Sequence, residues 1–338
     1  DPAKDAARRD FTINGLFYDT QTETVIDYVN GRLDLANKVI RAIGDPAARF
    51  AEDHLRLLRA VRFAARFEFQ IDPATEDAIR AHSTEITKVA AERTRDELTR
   101  ILTEPHPRRG FELLDTLGLL EPILPEVKAM QGVEQPPEFH PEGDVWTHTM
   151  LMLDGLQKPS ATLAWGVLLH DIAKPNTYEK TDRIRFNGHA ELGAKMAGKI
   201  LTRLRYPTAV IESVQDLVAQ HLKFIEVRKM KESTRKRFLR QTLFAELLEL
   251  HRLDSESSSR KLENYDFCKA ELEKLPPEAL RPPRLLTGAD LIKMGIPEGP
   301  EIGRILRKIE DAQLDGAITT EAQARAIAEA KTNPQPAP

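Results

Sequence analysis

The sequence predicts a mainly α-helical protein with a small β element at its front. Three observations carry this. β-branched pairs beside turn residues occur within the first 45 residues, at Val25-Ile26 and Val39-Ile40. After Gly44-Asp45-Pro46, apolar residues recur at helical spacing. Prolines then cut the chain into helix-sized blocks, at Pro105 and Pro107, at Pro122 and Pro125, and four times between residues 275 and 283.

The first segment reads as two short strands with Asn30-Gly31 as a turn signal between them. Two strands do not make an independently stable sheet. With a start at Asp1-Pro2, the expectation is that the rest of a sheet lies upstream, cleavage or processing being the alternative. Leu57, Leu58, Val61, Ala64 and Ala65 then share one helix face, followed by a Pro73-led helix, one near Arg93 to Leu102 and one from Phe111 to Leu120. A polar loop, Gln131 to Gly143, opens a new helical block from Val145 to about Lys274. Leu275 to Pro283 reads as a linker, Leu285 to Ala330 as a last small helical unit, and the proline-rich end as disordered. The expected boundaries are 1–45, 46–135, 136–275 and 284–330.

At 338 residues and 41% apolar content the chain can form two or three cored domains. The longest apolar run, Leu163 to Leu169, is far too short to span a bilayer, so no membrane partner is expected. The single cysteine, Cys268, rules out an internal disulfide and fits a reducing, cytoplasmic setting. A net charge of −4 gives no global sign of nucleic acid. Between Lys195 and Arg240, however, twelve Lys/Arg stand against four acids, which on charge alone reads equally as a solvated helix surface or as a phosphate-binding face; in the latter, Arg235, Lys236 and Arg237 are the expected RNA contacts.

Glu52, Asp53 and Arg56 form an E-D-x-x-R spacing that puts the arginine at i+3 and i+4 from the acids. Arg59, Arg62 and Arg66 are expected to continue a basic ridge opposite the apolar stripe. Taken alone, such a spacing is most often a helix-surface salt bridge. A carboxylate beside a guanidinium also suits the Watson–Crick edge of cytosine or adenine, each with an exocyclic amine next to a ring acceptor. Uracil and guanine would set a carbonyl against the carboxylate.

A second constellation comprises His148, His170-Asp171, His189, His221 and Asp254, spread over successive helices. Such residues can converge in a helical bundle, and His with Asp suits a hydrolytic divalent metal. His54, His82, His106 and His251 show no such pattern and read as structural.

Four motifs in order resemble the bacterial-type (class II) CCA-adding tRNA nucleotidyltransferases, a family shared with bacterial poly(A) polymerases. They are Arg8-Arg9-Asp10-Phe11-Thr12-Ile13-Asn14; Asp27 with Gly31-x-x-Asp34-Leu35; Ile40-Arg41-x-x-Gly44-Asp45-Pro46; and Arg49-Phe50-x-Glu52-Asp53-x-x-Arg56-x-x-Arg59-Ala60-x-Arg62. The likeness continues to Leu286-Thr287-Gly288-x-Asp290-Leu291 and Gly299-Pro300. It implies a helical neck, body and tail, with Arg9 and Asp10 on the ribose and Asn14 in support. It also implies that Asp53 and Arg56 read the base of CTP or ATP, Glu52 holds the arginine, and Arg59 belongs to the same nucleotide site. Gly15, where the family usually has alanine, reads as harmless. The family's Gly-rich, D-x-D-bearing head, which holds Mg²⁺ for transfer, has no counterpart here, so the expectation is that this chain alone does not polymerise.

The ordered set His…His-Asp…His…His…Asp is similar to the HD phosphohydrolase superfamily. His140-Pro141-Glu142-Gly143-Asp144 and His189-Ala190-Glu191-x-Gly193-Ala194 resemble the version in some CCA-adding enzymes. That likeness implies His148, His170, Asp171 and Asp254 on one metal (Ni²⁺, Mn²⁺ or Mg²⁺). His189 and His221 would serve a second metal or the substrate phosphate, and Lys174, grouped with His170 and Asp171 as catalytic, would contact phosphate or be no more than the charged end of its helix. The resulting expectation is a tRNA 3′-end nucleotidyltransferase, adding CCA, CC or A, with tRNA, CTP and ATP as partners and phosphohydrolysis at the HD site. A stand-alone HD phosphohydrolase, a poly(A) polymerase and an RNA-binding module completed by a separate head are the rivals. The sequence leaves a homo-oligomer open.

Overall fold

The computed structural model describes residues 1–332; the proline-rich end expected to be disordered lies outside the described residues. The architecture is mainly helical with three two-stranded sheets among the described residues. It divides into two compact units, Asp1–Leu222 with Glu249–Lys261, and Lys223–Leu248 with the chain from Leu262 onward.

In the first unit, the Pro2–Arg8 helix starts on Asp1, whose side chain accepts from the Ala3 amide, with proline in the first turn. Strand Leu16–Asp19 then pairs antiparallel with Thr24–Asp27, placing Phe17 opposite Ile26. Val39–Ile40, expected to belong to the same β element, instead pairs parallel with Gln70–Ile71, just beyond the next long helix. The front of the chain is thereby stitched to the helical body. Gly15 is more than tolerated: a Cβ there would lie 2.4 Å from Val29 Cγ2, so alanine would require Val29 to move.

The Leu55–Phe67 helix buries Leu57, Leu58, Val61, Ala64 and Ala65, the expected stripe. It ends at Glu68, in the left-handed region (φ 55°). Ala91–Thr103 and Pro107–Thr116 pack against it. The expected basic ridge is corrected at Arg62. That residue is only 4% exposed and donates from Nε to Glu97, itself buried, at 2.6 Å. Arginines spaced three and then four residues apart stay on one side of a 3.6-residue helix, and the middle one here meets an acid on the neighbouring helix.

The next block is Val145–Asp154, capped by Asp144, and Ala161–Leu169, capped by Ser160. His189–Arg203, Thr208–Gln220 and Phe244–Ser257 follow. The run Leu163–Leu169 is buried throughout, as its uniform apolarity requires.

In the second unit, Leu286, Leu291, Ile296, Ile305 and Ile309 form a small core with Ala324 and Ala328. A capping box between Thr287 and Asp290 starts the Gly288–Lys293 helix. A single helical turn, Pro277–Leu280, interrupts the expected linker.

Arg235, Lys236 and Arg237, expected on a phosphate-binding face, are placed otherwise. Arg235 pairs with Glu271 at 3.0 Å. Lys236 is 8% exposed and donates to the Leu314 carbonyl at 2.6 Å and to Glu232 at 2.5 Å. Arg237 pairs with Glu310 at 2.8 Å and with Asp311. Their charges are neutralised by carboxylates of the same unit, so they tie that unit together, and sequence-local charge density overstated what reaches solvent.

Candidate functional sites

Helix Pro46–Glu52 begins on Asp45, whose side chain accepts from the Ala47 amide, and it stops at Glu52. Asp53 is extended (φ −153°, ψ 102°) and accepts from the Leu55 amide at 3.1 Å, opening the next helix. Glu52 and Arg56 therefore pair across a helix break, at 2.8 Å. Arg56 also donates to the Arg49 carbonyl at 3.0 Å and the Arg8 carbonyl at 3.2 Å, which fixes its guanidinium.

Asp53 does not pair with Arg56, as uninterrupted i+3 spacing would have it. Its carboxylate is instead taken by Arg93, in a two-point contact at 3.1 and 2.8 Å. Burial opposes ionisation of Asp53, but the Arg93 contact outweighs it and holds the carboxyl below its ordinary range. Asp10 sits opposite, accepting from Arg59 Nε at 2.6 Å and from the Asn14 amide at 3.1 Å. Arg9 reaches the Asn14 carbonyl at 2.7 Å. These residues surround one open cleft of ≈ 530 Å³, lined by Arg8, Arg9, Asp10, Asn14, Asp53, Leu55, Arg56, Arg59 and Arg93. Glu52 stands behind Arg56. Arg93 was not singled out in the sequence, because its link to Asp53 spans 40 residues and only folding shows it.

The second site assembles at helix ends. His170-Asp171 follows Ala161–Leu169, and His221 follows Thr208–Gln220. Gly188, at φ 72°, turns the chain so that His189 starts its helix. His148 and Asp254 lie within helices. Three imidazoles share one device: His170, His189 and His221 direct Nδ1 at the carbonyls of Val167, Phe186 and Val218, at 2.9, 2.7 and 2.7 Å. A carbonyl only accepts, so each Nδ1 carries a proton, and each Nε2 is the ring nitrogen left to face the cluster.

Those Nε2 atoms converge. His189 Nε2 and His221 Nε2 are 3.3 Å apart, with Asp171 Oδ1 at 3.4 and 3.8 Å. Asp171 Oδ2 is 3.1 Å from His170 Nε2, and Asp254 Oδ1 is 3.2 Å from His148 Nε2. Despite these separations, neither His170 Nε2 nor either nitrogen of His148 has the geometry of a hydrogen bond. Buried ring nitrogens without a hydrogen-bond partner, packed this closely on carboxylate oxygens, fit a divalent cation once the imidazoles are neutral.

Ligand atoms of His148, His170 and Asp171, and those of Asp171, His189 and His221, each lie within 4.8 Å of one another. Asp171 belongs to both groups. The fields are correspondingly strong. Burial lowers the basicity of His148, yet Asp254 and Glu142 reverse this and raise its pKa to about 9. Burial and then the neighbouring His170 push His221 down to about 4. Asp171 is driven well below the carboxylate range by His170 and Lys174, against the opposing effect of burial. Lys174, 5% exposed, lies 2.6 Å from Asp171 Oδ2.

All six expected ligands are thus in one place. His140 and Glu142 join them: Glu142 Oε1 is 2.8 Å from His140 Nδ1 and 2.7 Å from His148 Nδ1. The His-Pro-Glu motif was visible in the sequence, but nothing in it showed that the loop folds back onto His148.

Three family models match: the poly A polymerase head domain at residues 1–41, the probable RNA and SrmB-binding site of polymerase A at 68–131, and the HD domain at 144–272. The chain is 33% identical over 345 residues to an A-adding tRNA nucleotidyltransferase of Deinococcus radiodurans, covering 96% of this chain and 78% of that one. It is 32% identical over 340 residues to a CC-adding tRNA nucleotidyltransferase of Thermus thermophilus, covering 96% and 76%. The fold matches the Bacillus stearothermophilus CCA-adding enzyme solved with CTP, at a TM-score of 0.71 and 20% identity, over 98% of this chain and 75% of that one. No helix among the described residues is long and apolar enough to cross a membrane. The chain belongs to the tRNA nucleotidyltransferase and poly(A) polymerase family, with an HD domain within its helical body.

Proposed function

We propose that the protein acts in tRNA 3′-end nucleotidyl transfer, selecting CTP and ATP at the cleft between Asp10 and Asp53. The observation that carries this is the cleft itself: a fixed guanidinium (Arg56) and an oriented carboxylate (Asp53) on one wall, Asp10 with Asn14 and Arg59 on the other. Arg56 donates to the ring acceptor of cytosine or adenine, Asp53 accepts from the exocyclic amine, and Asp10 accepts from a ribose hydroxyl. Glu52 keeps Arg56 in register, and Arg93 keeps Asp53 ionised and aimed. Relatives described as A-adding and CC-adding and a Thermotoga maritima neighbour solved with tRNA support tRNA as the acceptor. Mg²⁺ for the transfer is assigned to the family's D-x-D carboxylates. On the same grounds the front 45 residues belong to the head, residues 46–135 to the neck and body, 136–275 to the HD domain and 284–330 to the tail. The cytoplasm is the assigned site of action.

In the whole protein, Arg56→Ala lowers kcat/KM for CTP and ATP alike. Losing a charge-assisted pair costs about 2–4 kcal/mol, ~30- to 1000-fold. Unchanged values for both nucleotides would remove the base-reading role. Arg93→Ala loosens discrimination against UTP and GTP, and adds nothing in an Asp53→Ala background if its work passes through Asp53.

The HD cluster carries the second reading, a metal-dependent phosphohydrolase. His148, His170, Asp171 and Asp254 would hold one ion, with His189 and His221 sharing Asp171 toward a second. A divalent ion there supplies Lewis-acid polarisation of a phosphoryl oxygen, and Lys174 neutralises charge beside it. Elemental analysis of His170→Ala and Asp171→Ala should show lost metal and no cleavage of a 2′,3′-cyclic phosphate, while Arg56→Ala retains both. A wild-type protein loaded with Mg²⁺, Mn²⁺, Ni²⁺ or Co²⁺ that cleaves no phosphoester would end this reading.

A further inference from the structure

The loop between residues 131 and 144 lies outside the family-model matches, which end at 131 and resume at 144. Its Gln135 is 4% exposed, an unusual burial for a primary amide on a loop. Lys174 Nζ donates to Gln135 Oε1 at 2.5 Å. An ammonium has no acceptor, so the amide must present its oxygen to Lys174, and its orientation is fixed by chemistry. The Nε2 hydrogens are thereby directed away from the lysine. Nε2 is buried and has no acceptor in the protein. An unmet buried donor is costly and marks a place where an acceptor is missing.

The position of this donor identifies the acceptor's chemistry. Lys174 spans Gln135 Oε1 and Asp171 Oδ2, so one ammonium separates the amide from the carboxylate shared by both halves of the cluster. Two of the three Nζ hydrogens are committed to those oxygens. His140 lies within electrostatic reach of Lys174, with its Nδ1 facing Glu142. A ligand oxygen that meets this donor beside a buried ammonium fits an anion. We propose that the Gln135 carboxamide, held by Lys174, donates from Nε2 to a non-bridging oxygen of the substrate phosphoryl group, making it a substrate-binding residue of the HD site. This rests on the phosphohydrolase reading and adds its anion-holding half.

The test uses the full chain loaded with Mn²⁺ or Ni²⁺, with inorganic phosphate as the binding probe and 2′,3′-cyclic AMP as substrate. Gln135→Glu keeps an oxygen for Lys174 and removes the donor; Gln135→Met removes both at similar volume. Metal content by elemental analysis and the thermal unfolding midpoint monitor the site and the fold. Both variants should keep metal and fold, bind phosphate by calorimetry about tenfold or more weakly than wild type, and show a comparable rise in KM. Phosphate affinity equal to wild type in Gln135→Met overturns the inference while leaving the phosphohydrolase reading intact. Loss of metal in both variants also overturns it, by showing Gln135 to be a scaffold for the cluster. A wild-type chain that takes up no divalent metal overturns both together.

Discussion

The Arg62–Glu97 pair allows a stability prediction that reaches the cleft between Asp10 and Asp53. Both side chains are 5% exposed and meet at 2.6 Å. Glu97→Ala leaves the Arg62 guanidinium in the interior with Glu104, at 3.5 Å, as its remaining acid, and with the Phe63 ring 4.2 Å away. Stranding one member of a buried pair costs about 3–5 kcal/mol. The residual contacts place this case near the lower end, at ~3 kcal/mol. Replacing both residues, as Arg62→Met with Glu97→Leu, removes the unpaired charge and should cost under about 1 kcal/mol, a coupling of ~2 kcal/mol or more. Urea unfolding followed by Trp165 fluorescence is the assay. That indole is buried and donates to Tyr206 Oη at 2.7 Å, and Tyr206 contacts Thr99 on the Glu97 helix. Glu97 also lies 3.8 Å from Arg59, which holds Asp10, so the single variant should loosen the Asp10 wall as well. A single-variant loss below ~1 kcal/mol, or a double variant as unstable as the sum of the singles, would refute this account.

Three further outcomes are expected. Lys236→Met and Arg237→Ala should lower the unfolding midpoint of the second unit, yet leave the salt dependence of tRNA binding unchanged, because their charges are spent on Leu314, Glu232, Glu310 and Asp311; a reduced salt slope in a still-folded variant would restore the RNA-contact role. In chelator-stripped protein, His148 has a folded pKa raised to about 9, so its contribution is fully present below its unfolded value near 6.5 and is lost as pH rises through 9. Urea midpoints of the stripped protein should fall over that window while metal affinity rises, since uptake must displace the His148 proton; a flat profile contradicts it. Cys268 is fully buried, and burial followed by Glu271 raises its thiol to about 12, leaving a thiolate fraction of ~10⁻⁴ at pH 8. A disulfide reagent at pH 8 should label it in denaturant and not in the native protein.

The histidine–aspartate cluster was legible in the sequence because its residues advertise themselves: a His-Asp dipeptide closing an apolar run, and imidazoles at helix starts and stops. The apolar stripe from Leu57 to Ala65 was legible because periodicity is local. What failed were pairings that depend on distant partners. Arg93 meets Asp53 over 40 residues, and Arg62 meets Glu97 over 35. Val39–Ile40 is too short for a two-residue period to reveal its partner, Gln70–Ile71. Arg235 to Arg237 read as RNA contacts because a charge count does not see the acids brought up by Glu271 and by the Pro300–Leu314 helix. Gln135 and Glu142 sit on a loop without periodicity, and their burial comes entirely from how that loop folds back.

The stitching of the front segment has a mechanical consequence. Arg49 donates to the Ala7 carbonyl at 2.6 Å, Arg56 to the Arg8 carbonyl at 3.2 Å and Arg59 to Asp10 at 2.6 Å, while Phe11 bridges to Ala42. The two walls of the nucleotide cleft are therefore riveted to each other as well as to the same helices. A wall that cannot slide past its opposite number cannot exchange one base template for another by opening. On the proposed reading of this cleft, any switch between CTP and ATP is made by small re-aiming of side chains, with Arg93, half exposed and reaching in from a separate helix, as the part with room to turn.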